Sequence, residues 1–439
     1  MRIFPATNET SCDSDSGNTR RSSHRTQPSR LPTRVGSYRY VKRRWKLLFR
    51  CFDQVTSLFP SSFWRITTRR KERWPPRRIL LIQLDHIGDS VLSTGLPRVL
   101  QQQFPEATVD VLCSRWNRPL FQLLPEVNQV LVSARNWHAR TADAHSIVGE
   151  VLRLSQTLAA QQYDVAVDIR GDFPTVVTMW LAGIPTRIGW DCAGGKQLLT
   201  HVVPWDPAVH ELEHRLRIIQ VVAPNVALQD IIPRIPLRST DRTTIRARLR
   251  KEDNQGPIAV VHISAGTKSK RWPTHYYHEL ITELHDWLGA VCILVGAKED
   301  RPIAERLARL GTPALDWAGT LTLPQLAALA AEADVFVGPD SGPAHLAAAV
   351  GTPTVVLFSG TNRNSQWLPF GPQVIPLAYP TPCSPCASKT CPVPGHPCMA
   401  GITPDLVARI VARMVTDRQV QAARDLPAME RRTATAATA

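Results

Sequence analysis

The chain has 439 residues, 43% of them hydrophobic, so it can bury one large core and more readily two, and a single small domain is excluded. Its formal charge of +15 looks like that of a nucleic-acid binder until it is divided along the chain. Residues 1–78 hold 19 Lys and Arg against 5 Asp and Glu, which leaves a near-neutral 33 against 32 for the rest, so no specific nucleic-acid partner is expected for the body. Residues 1–40, rich in Ser, Thr, Arg and Pro, cannot bury enough apolar surface to offset chain entropy and read as a disordered basic tail. Residues 41–77 differ. Lys42-Arg43-Arg44 and Arg69-Arg70-Lys71 bracket Trp45, Leu47, Phe49, Phe52, Phe59, Phe63 and Trp64, a basic amphipathic pattern suited to an anionic membrane surface or to an extra helix packed on the body. Arg50 and Asp53 interrupt it, so it is not expected to span a bilayer, and no secretory signal is visible.

The body reads as α/β. Strands are expected at 78–82, 108–113, 130–132 and 165–169, with helices over 91–104, 147–161 and 175–182. After a polar segment over 233–254 the pattern restarts, with strands at 258–263, 291–295, 335–337 and 354–358 and helices over 274–288, 301–310 and 324–331. Such alternation implies two doubly wound parallel sheets, assigned to residues 78–240 and 241–439, that face a central cleft with ligands at the carboxyl ends of the strands.

The clearest local signal is Val335 to Phe358, which reads as strand, polar turn, short helix and strand. Pro343 near the first turn and Gly351 as a stop define a helix whose free N–H groups and dipole face Asp340, Ser341 and Gly342, an anion site or simply a cap. Gly342 would admit a close ligand and Ser341 would add a hydroxyl donor. Late in the chain Cys383, Cys386, Cys391 and Cys398 share a Pro- and Gly-rich loop; their spacing suits a structural zinc, and equally reduced thiols.

Four segments, in order, resemble the heptosyltransferases of glycosyltransferase family 9. They are Ile82 to Leu92 with its Gly88-Asp89 pair, Asp168-Ile-Arg170-Gly171 with Arg187-Ile-Gly189-Trp190-Asp191, His262 to Pro273 containing Lys270-Arg271-Trp272, and the Asp340-to-His345 turn. The resemblance runs from about Arg78 to about Val415. It implies a GT-B fold of two Rossmann-like domains and inverting transfer of heptose from ADP-heptose to a lipopolysaccharide core or lipid A-linked acceptor, by a cytoplasmic enzyme peripheral on the inner membrane. In that reading Asp89 is the base that takes the acceptor proton, with Asp85 as fallback. Lys270 meets the departing pyrophosphate, supported by Ser264, Gly266 and Thr267; Asp340, Ser341, Gly342 and His345 hold the other phosphate, and Glu299 the ribose. Arg170, Arg187, Arg115 and Arg118 are candidates for an anionic acceptor or for surface charge. No cofactor is required by this scheme, because these donors can stabilise the leaving group without a metal. Two other readings stay open: the same fold with another sugar, and a catalytically silent, membrane-bound glycan-binding protein.

Overall fold

The computed structural model describes residues 72–135, 137, 146–252 and 256–425, together with 51, 53–56 and 58. The basic tail over 1–40 and most of the segment over 41–77 lie outside the described residues. The part of that segment that is described rests on the body: the buried Asp53 accepts from the amide of Gly195 (2.8 Å) and from Gln197 through its carbonyl (2.9 Å), while Val55 and Leu58 face outward. None of the described helices is long and apolar enough to cross a membrane.

Two six-stranded sheets, every pairing parallel, make the two halves. The first comprises β1 (Arg78–Gln83), β2 (Thr108–Cys113), β3 (Val127–Val132), β4 (Val165–Asp168), β5 (Thr186–Trp190) and β6 (His201–Val203), in the order β3-β2-β1-β4-β5-β6. The second comprises β7 (Ile258–His262), β8 (Val291–Val295), β9 (Ala314–Asp316), β10 (Val335–Pro339), β11 (Thr354–Phe358) and β12 (Val374–Ala378), in the order β9-β8-β7-β10-β11-β12. Both run 3-2-1-4-5-6, so the chain reverses direction between β1 and β4, and again between β7 and β10. Ligand crevices open at such switch points. The central strands are continuous apolar runs because both of their faces are covered by helices. Ile79, Leu80, Leu81 and Ile82 are all buried.

The helices that matter below are α1 (Ile87–Leu92), α2 (Leu96–Gln103), α3 (Ile147–Gln161), α4 (Phe173–Leu181), α5 (Glu211–Ile219), α6 (Ser239–Leu249), α7 (Thr274–Leu288), α8 (Arg301–Arg309), α9 (Leu323–Glu332), α10 (Gly342–Ala349) and α11 (Pro404–Asp425). Two departures from expectation are informative. The helix expected over 91–104 is two helices: the first begins at Ile87, and the break before Leu96 brings Gly95 against the carbonyl of Ile231, where a Cβ would stand at 2.3 Å. The segment expected as a polar linker holds α6, which buries Ile245 and pairs Arg242 and Arg246 with Glu332 of α9. It therefore packs with the second half.

The halves meet through a small apolar cluster in which Val91, Leu120 and Leu123 of the first pack against Ala327 and Leu346 of the second. The chain also crosses back. His210 contacts the carbonyl of Leu368 (2.8 Å), Gln366 donates to Glu211 (3.0 Å), and Phe370 packs on the core of the first half.

Candidate active site

Asp89 is the third residue of α1. His86, extended, occupies the N-cap and accepts from the amide of Ser90 (3.1 Å), so Asp89 does not cap a helix starting at Val91. It points instead into the interior, where Arg215 of α5 approaches its Oδ1 at 3.3 Å. Burial, then the charge of Asp85, push the Asp89 carboxyl up to about 7, with Arg215 pulling the other way, Glu211 pushing upward and Arg170 opposing. A carboxylate poised near neutrality, in the first turn of a helix at the end of a sheet strand, has the properties of a general base.

Asp85 is spoken for. Its carboxylate pairs with Arg170 and accepts from the amide of His86 (2.8 Å), while its carbonyl takes Trp116 (3.2 Å) and Asn117 (2.7 Å). Arg170 also approaches Asp172 (2.9 Å) and stays partly open to the cleft. Arg115 and Arg118 are exposed in the short turns after β2, beside this clamped loop. Arg187 is elsewhere. It is buried within the first half and donates to the carbonyls of Leu198 (2.6 Å) and Ile184 (2.5 Å), so it is a core group that satisfies backbone acceptors and cannot reach an acceptor sugar.

In the second half Ser264 is buried, and Gly266 and Thr267 half-buried, in the loop after β7; the following turn carries Lys270. Lys270 Nζ lies 2.6 Å from Asp340 Oδ2 and 3.3 Å from the Asp340 carbonyl, and Asn362 donates to the same carboxylate at 2.9 Å. Lys270 and Asp340 therefore hold each other at the mouth of the α10 turn. Ser341 Oγ donates to the Pro339 carbonyl (3.0 Å) and lies 3.1 Å from His262 Nδ1. Burial pushes His262 down to about 4, with Asp300 opposing; with the Ser341 hydroxyl turned to Pro339, the tautomer that suits this contact is the one protonated at Nδ1. The hydroxyl proton of Ser341 is thus committed, and what the turn offers an anion is backbone amides. Glu299 is exposed in the turn after β8, whereas its neighbour Asp300 is buried and caps Ala297 (2.8 Å).

The two centres touch. A Cβ on Gly88 would stand 2.9 Å from the ring of His345, and one on Gly342 would stand 2.7 Å from the Cβ of Ile87. Neither glycine has the positive φ expected of a strained turn. Both are small because α1 and α10 press against each other. His345 is buried between them, its Nδ1 without a hydrogen-bond partner among the described residues, and burial pushes it down to about 4.

The Cys-rich loop braces the same site. The amide of Ser269 donates to Lys389 (3.2 Å) and its hydroxyl to Ser388 (2.5 Å), and Cys386 donates to Gly360 (2.8 Å), so the loop spans the Lys270 turn and the strand end that leads to Asn362. Burial pushes the Cys398 thiol up, with Cys391, Cys383 and Cys386 adding to the push. Yet Cys383 is exposed, and among the described residues no three of His, Cys, Asp or Glu gather closely enough to hold a metal. The donors have the chemistry for zinc but not the placement.

Arg215, Glu211, Gln366 and Asn362 were not foreseen. Only the i, i+4 spacing of Glu211 and Arg215 hints at a helical pair, and nothing in it points to Asp89, which is 126 residues away.

Residues 151–396 match the family described as glycosyltransferase family 9 (heptosyltransferase). Lipopolysaccharide heptosyltransferase 2 of Escherichia coli K12 is 28% identical over 292 residues, 64% of this chain and 82% of that protein. Lipooligosaccharide heptosyltransferase 2 of Haemophilus ducreyi is 28% identical over 313 residues, 68% and 87% respectively. The solved structure of the E. coli ADP-heptose lipopolysaccharide heptosyltransferase II matches with a TM-score of 0.65 at 24% identity, covering 78% of this chain and 99% of that one, and so shares the fold.

Proposed function

The chain belongs to glycosyltransferase family 9, the heptosyltransferases, and from that premise we propose that it moves heptose from ADP-heptose to a lipopolysaccharide core or lipid A-linked acceptor with inversion. Glycosyl transfer is the activity of the family; the donor, the acceptor and the residue roles are our reading. Asp89 accepts the proton of the acceptor hydroxyl as that oxygen forms a bond to the anomeric carbon. The bond from that carbon to the β-phosphate oxygen breaks on the opposite face, and ADP leaves with the electron pair. Lys270 and the amides of the Ser341-Gly342 turn stabilise the growing charge on the pyrophosphate. To meet the phosphate, Lys270 exchanges part of its contact with Asp340 (2.6 Å) for the ligand. In this reading Glu299 binds the ribose, and Arg170, Arg115 and Arg118 bind anionic groups of the acceptor.

The observation that carries this reading is the contact of α1 with α10, since it sets a carboxyl poised near neutrality beside an anion-binding turn with lysine at its edge. We also propose that the enzyme works from the cytoplasmic face of the inner membrane, held there by the basic, aromatic segment over 41–77. The test is to incubate the protein with ADP- and UDP-sugars and a truncated lipopolysaccharide acceptor, and to compare it with Asp89→Asn by mass spectrometry of the acceptor. Gain of one heptose, lost in the variant, is expected. Transfer of another sugar would keep the base and replace the donor. Tight glycolipid binding with no transfer from any donor would favour a silent binding protein.

A further inference from the structure

Around Asp89 the described carboxylates share their guanidinium partners. Three buried carboxylates, Asp85, Asp89 and Glu211, share two guanidinium groups, Arg170 and Arg215. Arg170 is taken by Asp85 and Asp172. Arg215 pairs with the Glu211 carboxylate and meets the Glu211 carbonyl at 3.0 Å, and reaches Asp89 at 3.3 Å and Ser93 at 3.4 Å. Among the described residues Asp89 is the carboxylate of the three with the longest contact to a guanidinium. Elements packed on α1 from the other side add little charge. His345 of α10 is neutral, as burial requires, and Lys270 and Asp340 behind it pair with each other. His210, at the start of α5, is pushed down by burial. Glu211 in turn receives Gln366 (3.0 Å) from the second half, and the neighbouring His210 holds the carbonyl of Leu368 (2.8 Å).

We propose that Arg215 is the positioning residue for the base, and that Glu211, by competing with Asp89 for the same guanidinium, sets how readily Asp89 takes a proton. Gln366 of the second half donates to Glu211, so the group that competes for Arg215 is also held from across the two halves. This inference rests on Asp89 being that base. The two partners have opposite signs. Without Arg215, two carboxylates lose their cation and Asp89 holds its proton to higher pH; without the charge of Glu211, Arg215 is free to serve Asp89, which then loses its proton at lower pH. An opposite charge within about 4–6 Å shifts a carboxyl by roughly 1–3 pH units.

The direct test is ¹³C NMR titration of full-length protein labelled at aspartate Cγ, with the Asp89 signal assigned by its loss in Asp89→Asn. Arg215→Met should move its midpoint up by about one unit or more, Glu211→Gln should move it down, and Arg215→Lys should stay near the wild type. The acid limb of kcat/KM should follow in each case, so that at neutral pH Arg215→Met loses about tenfold and regains most of it as pH rises. Unmoved midpoints in Arg215→Met and Glu211→Gln would overturn the proposal; should Arg215→Met fail to fold, an unmoved midpoint in Glu211→Gln alone would do so. Full turnover by Asp89→Asn would instead overturn Asp89 as base while leaving the titrations interpretable.

Discussion

Replacing Gly342 by Ala tests whether the site depends on the close approach of α1 and α10. The new methyl would lie 2.7 Å from Ile87 Cβ, 2.9 Å from its Cγ2 and 3.3 Å from the amide nitrogen of Gly88. Carbon atoms rest at about 3.5–4.0 Å, so the helices must part by roughly 1 Å, or Ile87 must leave its rotamer. In an unconstrained helix the exchange would stabilise by about 1 kcal/mol, whereas overpacking of this kind costs about 1–3 kcal/mol. The two nearly offset, and the unfolding temperature should fall only slightly. Turnover is more sensitive, because a displacement of about 1 Å between a base and the leaving group it faces can cost about 100-fold. Steady-state kcat/KM, measured beside thermal unfolding, should therefore fall far more than stability does. Gly149→Ala is the control: it sits in α3 with its nearest neighbour, Ser146 Cβ, at an ordinary 3.6 Å, and should gain about 1 kcal/mol with unchanged rate. Wild-type kcat/KM in Gly342→Ala would refute the claim that these two helices bring base and anion turn together.

Three further outcomes follow from the same geometry. Lys270→Met should lower kcat by about 10²–10³ with a smaller change in donor KM, as expected for a cation that acts mainly on charge developed in the transition state; unchanged turnover would remove Lys270 from the reaction. Arg187→Met should destabilise by roughly 2–5 kcal/mol, since it strips donors from the buried carbonyls of Ile184 and Leu198, yet leave acceptor KM as it was in whatever folds; a raised KM at full stability would restore it to the acceptor site. Asp89→Asn should be the more stable protein at pH 8. Burial raises the folded Asp89 to about 7 from 3.8, so the folded state binds more protons than the unfolded one between those values, and the wild type loses stability as pH rises through that window. At about 1.4 kcal/mol per unit the gap in denaturant stability reaches a few kcal/mol at pH 8 and narrows toward pH 4; a gap that widens on acidification would contradict the sign.

The central strands were legible because they are apolar on both faces, and Thr108–Cys113, Val291–Val295 and Thr354–Phe358 fall where the sequence puts them. Of the outer strands only Val127–Val132 shows in the sequence, and there only over 130–132. His201–Val203 is short with two exposed residues, and Ala314–Asp316 has no fully buried one, so neither shows the continuous run that betrays a central strand. Helices α5 and α6 are polar along most of their length. The stability of α6 in place comes from Ile245 and the ion pairs to Glu332, contacts that exist only once α9 is beside it. Arg187 was misjudged for a related reason: it stands in a motif with Gly189 and Trp190, but a motif cannot say whether an arginine on a strand faces the cleft or the core.

The glycine motifs were found for one reason and matter for another. Gly342 stands out in the sequence as a residue that would admit a ligand, yet both Gly88 and Gly342 take ordinary φ angles, and what fills the space of their missing side chains is His345 and Ile87 from the opposite half. Each half therefore carries a residue whose size is dictated by the other. The same holds for Glu211, which is built into the first half but hydrogen-bonded by Gln366 of the second. A sequence read element by element sees two unrelated turns; in the proposed reaction the chemistry resides in their contact, with Asp89 of α1 as base and the α10 turn as the site of the leaving ADP. It follows that substitutions at this contact should act on turnover more than on either half's own fold, which is why Gly342 is a sharper probe of the site than any of its exposed arginines.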